Sequence, residues 1–353
     1  MIDGQTHQLR VQAPVILEPT VDTPEPVFVV GMNGSGTSML TESLGRHPDL
    51  YAFPGETRMI PHYIHHARRF GDLSVDSNFL KLWQYVITSA PDFEVFNGHR
   101  PLSVPDNWRD YQRDLATIID AVFRQFALQH GKSRWCEKSP NNSEHLLALA
   151  DLYPRAKFVH IIRDGRDCAA SVNRRQYRNP KLAVYRWRLV VDEARRQGKQ
   201  LGNDRYMEFR YEDLTTDPSK WMRVVCEFLD LPFTKQVLES SMPQSAKSQH
   251  MKGGAPGKIE PNSKKFLSYF SEQQLRRLEH ISGATLKDLG YDVIYDAGHS
   301  KVGFIESRII RGVDFVRANH RLRKKLAGQP DMTWGKVFRG TLASIREYNS
   351  KKI

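Results

Sequence analysis

Two stretches of this chain are apolar at nearly every position, Pro26-Val27-Phe28-Val29-Val30 and Lys157-Phe158-Val159-His160-Ile161-Ile162. Unbroken runs of that length predict strands covered on both faces, as in a parallel sheet. Leu50 to Phe53, Arg134 to Lys138 and Arg205 to Phe209 read as shorter extended segments. Between them the apolar positions fall at helical spacing. Helices are predicted after residue 38, over 58 to 70, 77 to 90, 181 to 201 and 218 to 229, the last opened by the cap pair Asp217-Pro218. From Trp108 to His130 one longer helix is predicted, with Leu115, Ile118, Ile119, Val122, Phe123 and Phe126 mostly on one face. Residues 91 to 107 read as loop. Strands alternating with helices imply a three-layer α/β fold whose central parallel sheet is flanked by helices and whose ligands sit beyond the carboxyl ends of the strands; the glycine-rich turn Gly31 to Ser38 after the first strand makes the expected fold P-loop-like.

Three regions follow from this pattern: an irregular leader over 1–25, a core over 26–297, and a basic, helical extension over 298–353. The extension holds 13 Lys and Arg against 4 Asp and Glu, which is nine of the chain's net +12. Charge gathered at one end predicts an appended arm rather than a nucleic-acid-binding domain. Ile305, Ile309, Val313, Phe315 and Val316, set among arginines, suit two readings. They form either an interfacial helix at an anionic membrane or a face packed on the domain or on a second subunit, with packing preferred. No run approaches the ~18 apolar residues of a membrane span. Cys136, Cys168 and Cys226 are widely spaced, without a C-x-x-C pair, which predicts a reducing compartment and no zinc site. The expected location is the cytoplasm, with the inner membrane face as the place a basic arm would touch.

The chemistry is concentrated in two motifs. Gly31-Met32-Asn33-Gly34-Ser35-Gly36-Thr37-Ser38 follows the first strand and opens a helix, in the pattern of a nucleotide P-loop with Thr37 where the lysine belongs. Glycines there let backbone N–H groups converge on an anion, and the helix N-terminus adds partial positive charge. Without the lysine, the expected guest is a phosphate or phosphosulfate rather than a nucleoside triphosphate. Arg163-Asp164-Gly165-Arg166-Asp167 ends the second buried strand, and Ser171 lies about two helical turns on. A rigid, permanently charged guanidinium with a hydroxyl makes a second phosphate clamp.

Together these motifs resemble the sulfotransferases that use 3′-phosphoadenosine 5′-phosphosulfate (PAPS). His47-Pro48-Asp49 and Glu56-Thr57-Arg58 are most similar to the tyrosylprotein branch and its bacterial relatives. The resemblance covers roughly 26 to 292. It implies a Rossmann-like α/β fold and sulfuryl transfer to a hydroxyl, without a metal. It implies that Asn33, Gly34, Ser35, Gly36, Thr37 and Ser38 line the 5′-phosphosulfate and that Arg163 and Ser171 hold the 3′-phosphate. Tyr211 stands near the adenine side, and Lys258 belongs to a late loop closing over the cofactor. It implies Glu56 as general base, Lys138 as the cation on the sulfuryl group in transit, and Arg58 and His62 on the acceptor side.

Two departures bear on the mechanism. The family pattern places Arg or Lys where this chain has Gly34, so the cation expected at the leaving phosphate must come from elsewhere. His62 stands where the tyrosylprotein branch carries an arginine, which points the acceptor toward a glycan, glycolipid or small metabolite. Two other readings stay open at this point. A P-loop kinase would need a substitute for the lysine missing at Thr37, and a binding protein could have kept the cradle and lost catalysis. His62, His65 and His66 read as a polar helix face rather than a metal site.

Overall fold

The computed structural model describes residues 25–99, 101–176, 178–238 and 263–312. Its centre is a five-stranded, wholly parallel sheet of β1 (Val27–Val30), β2 (Leu50–Ala52), β3 (Arg134–Glu137), β4 (Lys157–Ile162) and β5 (Tyr206–Arg210), in the order β2-β3-β1-β4-β5. The helices are α1 (Thr37–Gly45), α2 (Ile60–His66), α3 (Asp76–Ser89), α4 (Pro91–Phe96), α5 (Leu115–Gln129), α6 (Leu146–Leu152), α7 (Gly165–Gln176), α8 (Pro180–Leu201), α9 (Tyr211–Thr216), α10 (Pro218–Phe228), α11 (Phe266–Tyr269) and α12 (Glu272–Asp288). Strand side chains alternate between faces, and both faces are buried. Along β1, Phe28 and Val30 join the core beneath α3, α5 and α6, whereas Val27 and Val29 join the one beneath α1 and α10. On the first side Phe28 stacks on Phe158 at 5.4 Å and meets Trp135 edge-on at 5.8 Å. A third core lies between α7, α8 and α12.

From β1 the chain moves out to β2 and returns through β3, then continues on the other side with β4 and β5. The switch point therefore falls between β1 and β4, where a crevice opens at the strand ends. Gly31 and Arg163 follow these two strands.

Two expected elements differ. The stretch 91 to 107, read as loop, contains α4, because Pro91 takes a first-turn position and Asp92 and Glu94 complement the helix dipole. The helix expected from Trp108 to His130 is divided: a 3-10 turn at Trp108–Asp110 gives way to extended backbone at Tyr111, and α5 starts afresh where the Asp114 side chain accepts from Thr117 N at 2.7 Å. Competition from a capping aspartate outweighs continuous apolar spacing there.

The leader up to residue 24, Lys258 with its glycine-rich loop, and the extension beyond residue 312 lie outside the described residues. Of the extension, 304–312 is helical, with Phe304, Ile305 and Ile309 exposed and Glu306 paired with Lys181. Among the described residues no helix is long and apolar enough to cross a membrane. The three cysteines are buried and unpaired.

Candidate active site

Each strand end contributes one part. After β1 the loop turns through Gly34 (φ 94°) and Gly36 (φ 99°) into α1. Such angles suit glycine, and at Gly36 a side chain is also excluded by contact, since a Cβ would lie 2.4 Å from Cδ2 of Tyr211. The Tyr211 ring, delivered by β5, thus lies directly on the loop. Arg163, at the end of β4, places its guanidinium 4.5 Å from that ring and donates from Nη1 to the Gly34 carbonyl at 3.2 Å. Its own carbonyl is fixed by Trp187 Nε1 at 3.0 Å. Ser171 on α7 faces Gly34, with its Cβ 3.4 Å from where a Gly34 Cβ would stand. Ser35 is buried, and its Oγ finds no hydrogen-bond partner among the described residues. Thr37 is buried, Ser38 is exposed and Asn33 is half-buried at the rim.

Sequence reasoning missed one cation here. Arg175, one helical turn beyond Ser171, brings Nη2 to 3.5 Å from the same Gly34 Cβ position. Burial and the neighbouring positive charges of Arg174 and Arg163 depress its pKa, and its Nε donates to the Ser171 carbonyl at 3.4 Å. Two guanidiniums beside a glycine loop, with a buried hydroxyl left unsatisfied, are an arrangement that an anion would complete. Arg166, by contrast, is structural. It is buried between Asp164 at 2.7 Å and Glu279 at 2.5 Å, and Glu279 also accepts from the backbone N–H groups of Ile294, Tyr295 and Asp296. The Arg-Asp-Gly-Arg motif thus faces the loop with its first arginine and anchors the C-terminal segment with its second.

The remaining strand ends, of β2 and β3, bring together Glu56, Arg58 and Lys138. Lys138 Nζ meets Glu56 Oε1 at 2.5 Å, and Arg58 Nη2 meets Oε2 at 2.7 Å. Burial would raise the Glu56 pKa, but the charge and hydrogen bond of Lys138, aided by Arg58, hold it below the usual carboxylate range. The two cations differ in freedom, since the Lys138 side chain is 7% exposed and that of Arg58 is 64% exposed. His62 lies elsewhere on α2, bonded through Nε2 to Tyr85 Oη at 2.5 Å and stacked on His66 at 3.8 Å.

Backbone contacts hold the acidic turn. Glu56 N donates to Asp92 Oδ2 at 2.8 Å, Thr57 N to Glu137 Oε1 at 3.2 Å and Arg58 N to Ser139 Oγ at 2.9 Å. Arg58 itself has φ 57°, a conformation costly for a residue with a Cβ. Further along the same segment, Ser143 Oγ accepts from Gly31 N at 2.8 Å, so residues 137–143 touch both the acidic turn and the anion loop. Neither Asp92 nor Glu137 carries a motif that would have revealed it, because each acts on a residue distant in sequence.

The fold and this edge define an α/β protein with a P-loop-like arrangement, whose glycine loop lacks the nucleotide-binding lysine. Residues 26–235 match the sequence profile of the Sulfotransferase family, and the chain belongs to that family. It is 27% identical over 225 residues to a protein-tyrosine sulfotransferase of Drosophila melanogaster, the alignment covering 60% of this chain and 39% of that protein. Over 221 residues it is 26% identical to protein-tyrosine sulfotransferase 1 of Danio rerio, covering 60% and 55% respectively. The chain thus spans about half or less of the length of these relatives. Among solved structures, the sulfotransferase domain of the Synechococcus PCC 7002 olefin synthase aligns over 79% of this chain and 99% of its own, with 21% identity and a TM-score of 0.48.

Proposed function

We propose that this protein transfers a sulfuryl group from PAPS to a hydroxyl, with Glu56 as general base. The observation that carries the reading is the convergence of the lysine-less loop, the Arg163 and Ser171 clamp and the Glu56–Lys138 pair at one end of one parallel sheet. The unsatisfied Ser35 Oγ and the two guanidiniums at Gly34 fit a donor with separated anionic groups.

When bound, PAPS supplies an activated sulfuryl group and a nucleotide leaving group. Arg163 and Ser171 would hold its 3′-phosphate, and the loop N–H groups with the N-terminus of α1 would hold its 5′ end. Arg175 supplies positive charge at the loop position where the family pattern puts a cation and this chain has Gly34. Tyr211, stacked between Gly36 and Arg163, closes the floor. On the acceptor side, Arg58 would release Oε2 of Glu56 to the incoming hydroxyl, and Glu56 would take its proton there; the sulfuryl group would pass to the acceptor oxygen as its bond to the 5′-phosphate oxygen breaks and PAP leaves. Lys138 remains on Oε1, keeping the base ionised and the ammonium close to the charge that develops on the sulfuryl oxygens.

The acceptor we propose is a glycan, glycolipid or small-metabolite hydroxyl, on the ground that His62 replaces an arginine of the tyrosylprotein pattern and is engaged with Tyr85. The names of the relatives favour a second reading, a tyrosine of a protein. Incubation of the full chain with PAPS labelled in its sulfate, against saccharide, lipid, phenol and tyrosyl-peptide acceptors, tests both. Label transferred to the first classes but not to peptide supports the acceptor proposal, and transfer to tyrosyl peptide alone overturns it. No transfer to any acceptor, with or without Glu56→Gln as the blank, removes the enzymatic reading.

A further inference from the structure

The acidic turn is held by a side chain that the mechanism itself does not use. Glu137 closes β3 and is fully buried. Its Oε1 accepts from Thr57 N at 3.2 Å, Thr57 Oγ1 at 3.0 Å and Ser139 Oγ at 2.5 Å, and its Oε2 accepts from Asn142 Nδ2 at 2.6 Å. The backbone N–H of Thr57 and the Nδ2 group of Asn142 can only donate, so they demand an acceptor, and a carboxylate meets all four contacts at once. Ser139, having given its proton to Glu137, presents its oxygen to Arg58 N at 2.9 Å. Asn141 Nδ2 completes the hold by donating to the Arg58 carbonyl at 2.8 Å.

Without such contacts, little would keep Arg58 at φ 57°. Left-handed backbone costs a residue with a Cβ roughly 1–2 kcal/mol, so the turn stays only where surrounding bonds over-determine it. That conformation places the Arg58 guanidinium against Oε2 of Glu56. Because Lys138 directly follows Glu137 in the chain, the same carboxylate fixes both the turn that bears the base and the strand end that bears its cation.

We propose that Glu137 is a positioning residue: through Thr57 and Ser139 it sets the register of the 56–58 turn against β3, and so holds Glu56 between Lys138 and Arg58. The catalytic consequence rests on the function proposed above, whereas the geometric claim does not. Loosening the turn would lengthen the contacts of Glu56 with its two cations, and displacements of about 1 Å at such groups cost on the order of 10²-fold in rate.

Two readouts test this on the full-length chain. The first is the titration of the Glu56 carboxyl, followed by NMR with carboxyl-labelled glutamate and assigned by loss of its signal in Glu56→Gln. In the native protein it should titrate below the ordinary range. In Glu137→Gln it should move upward, with Thr57→Val giving a smaller shift in the same direction. Thr57→Val keeps the side-chain shape and deletes one bond, so it serves if Glu137→Gln does not fold. The second is the split between kcat and binding. We expect kcat to fall about 10- to 100-fold, the scale of a misplacement of up to about 1 Å at a reacting group, with affinity for 3′-phosphoadenosine 5′-phosphate (PAP) changed less than about threefold. An unmoved Glu56 titration in a folded variant overturns the proposal, whether or not the protein transfers sulfate. A parallel loss of kcat and PAP affinity overturns it as well, since that marks general damage. An inactive native protein whose Glu56 still shifts on Glu137→Gln would remove the function reading and leave the positioning role standing.

Discussion

Replacing Gly36 by alanine puts the cradle under a strain whose size the structure supplies. The new Cβ would stand 2.4 Å from Cδ2 and 2.8 Å from Cε2 of Tyr211, at a backbone φ of 99°. The backbone term is roughly 1–2 kcal/mol. Overpacking against a ring that is itself buried adds roughly 1–3 kcal/mol. The total is therefore about 2–5 kcal/mol, and it has two ways to appear. If the loop keeps its shape, the free protein loses that stability and binds PAP as before. If the loop relaxes, or Tyr211 swings off and gives up its stacking with Arg163, the free protein is spared and the penalty reappears when the ligand demands the native shape. Urea unfolding and calorimetric titration with PAP, done on the same preparations, measure the two losses. Their sum should fall at about 2–5 kcal/mol, which as affinity alone is roughly 30- to 4,000-fold. If both stay within about 0.5 kcal/mol of native, the ring does not lie on the loop, and the cradle as described is wrong.

Other outcomes follow from the same geometry. Glu56→Gln should lower kcat by about 10²- to 10⁴-fold, as expected for loss of a general base, while leaving PAP affinity unchanged. In the native protein the acid limb of kcat/KM should lie below the ordinary glutamate range, because the cations beside Glu56 keep it ionised to lower pH; a limb above that range would contradict the proposed role of Glu56. Buried Asp120 takes a hydrogen bond from Trp135 Nε1 at 2.7 Å, and burial, only partly opposed by that bond and by Arg124, raises its pKa from 3.8 to about 6. The folded state thus holds this proton more tightly than the unfolded state. Its stabilising effect is full below pH 3.8 and is lost as pH rises through about 6. Two pKa units correspond to about 3 kcal/mol. In chemical denaturation, Asp120→Asn should match native stability near pH 4 and exceed it by up to about 3 kcal/mol at pH 7; a pH-independent difference would refute the shift.

Much of the architecture was legible because the strands are buried on both faces. The mainly apolar run at Lys157–Ile162 is consistent with a covered strand, and β4 has those end residues. The position of Arg163 followed from it, and that of the glycine loop from the apolar run Val27–Val30. What escaped was decided by pairings far apart in the chain. α4 is brief, and its Asp92 matters through a bond to the backbone of Glu56. Glu137 reads in the sequence as one more strand-end charge, and only the approach of Thr57 and Ser139 gives it a task. Arg175 was within reach of reasoning, being one turn past Ser171, but its approach to Gly34 depends on how α7 packs against the loop. The missing side chain at Gly34 left a question that this arginine answers in the proposed mechanism.

The central claim is that this edge of the sheet is built for a nucleotide with a 3′-phosphate, read by Arg163 and Ser171. Calorimetric titration of the native chain with PAP, with 5′-AMP and with ATP tests it most directly, repeated on Arg163→Ala. A charged hydrogen bond is worth about 1.5–3 kcal/mol, so PAP should bind at least about 10- to 100-fold more tightly than 5′-AMP, and Arg163→Ala should erase most of that preference. ATP bound more tightly than PAP, or a preference for PAP that survives Arg163→Ala, would contradict the account.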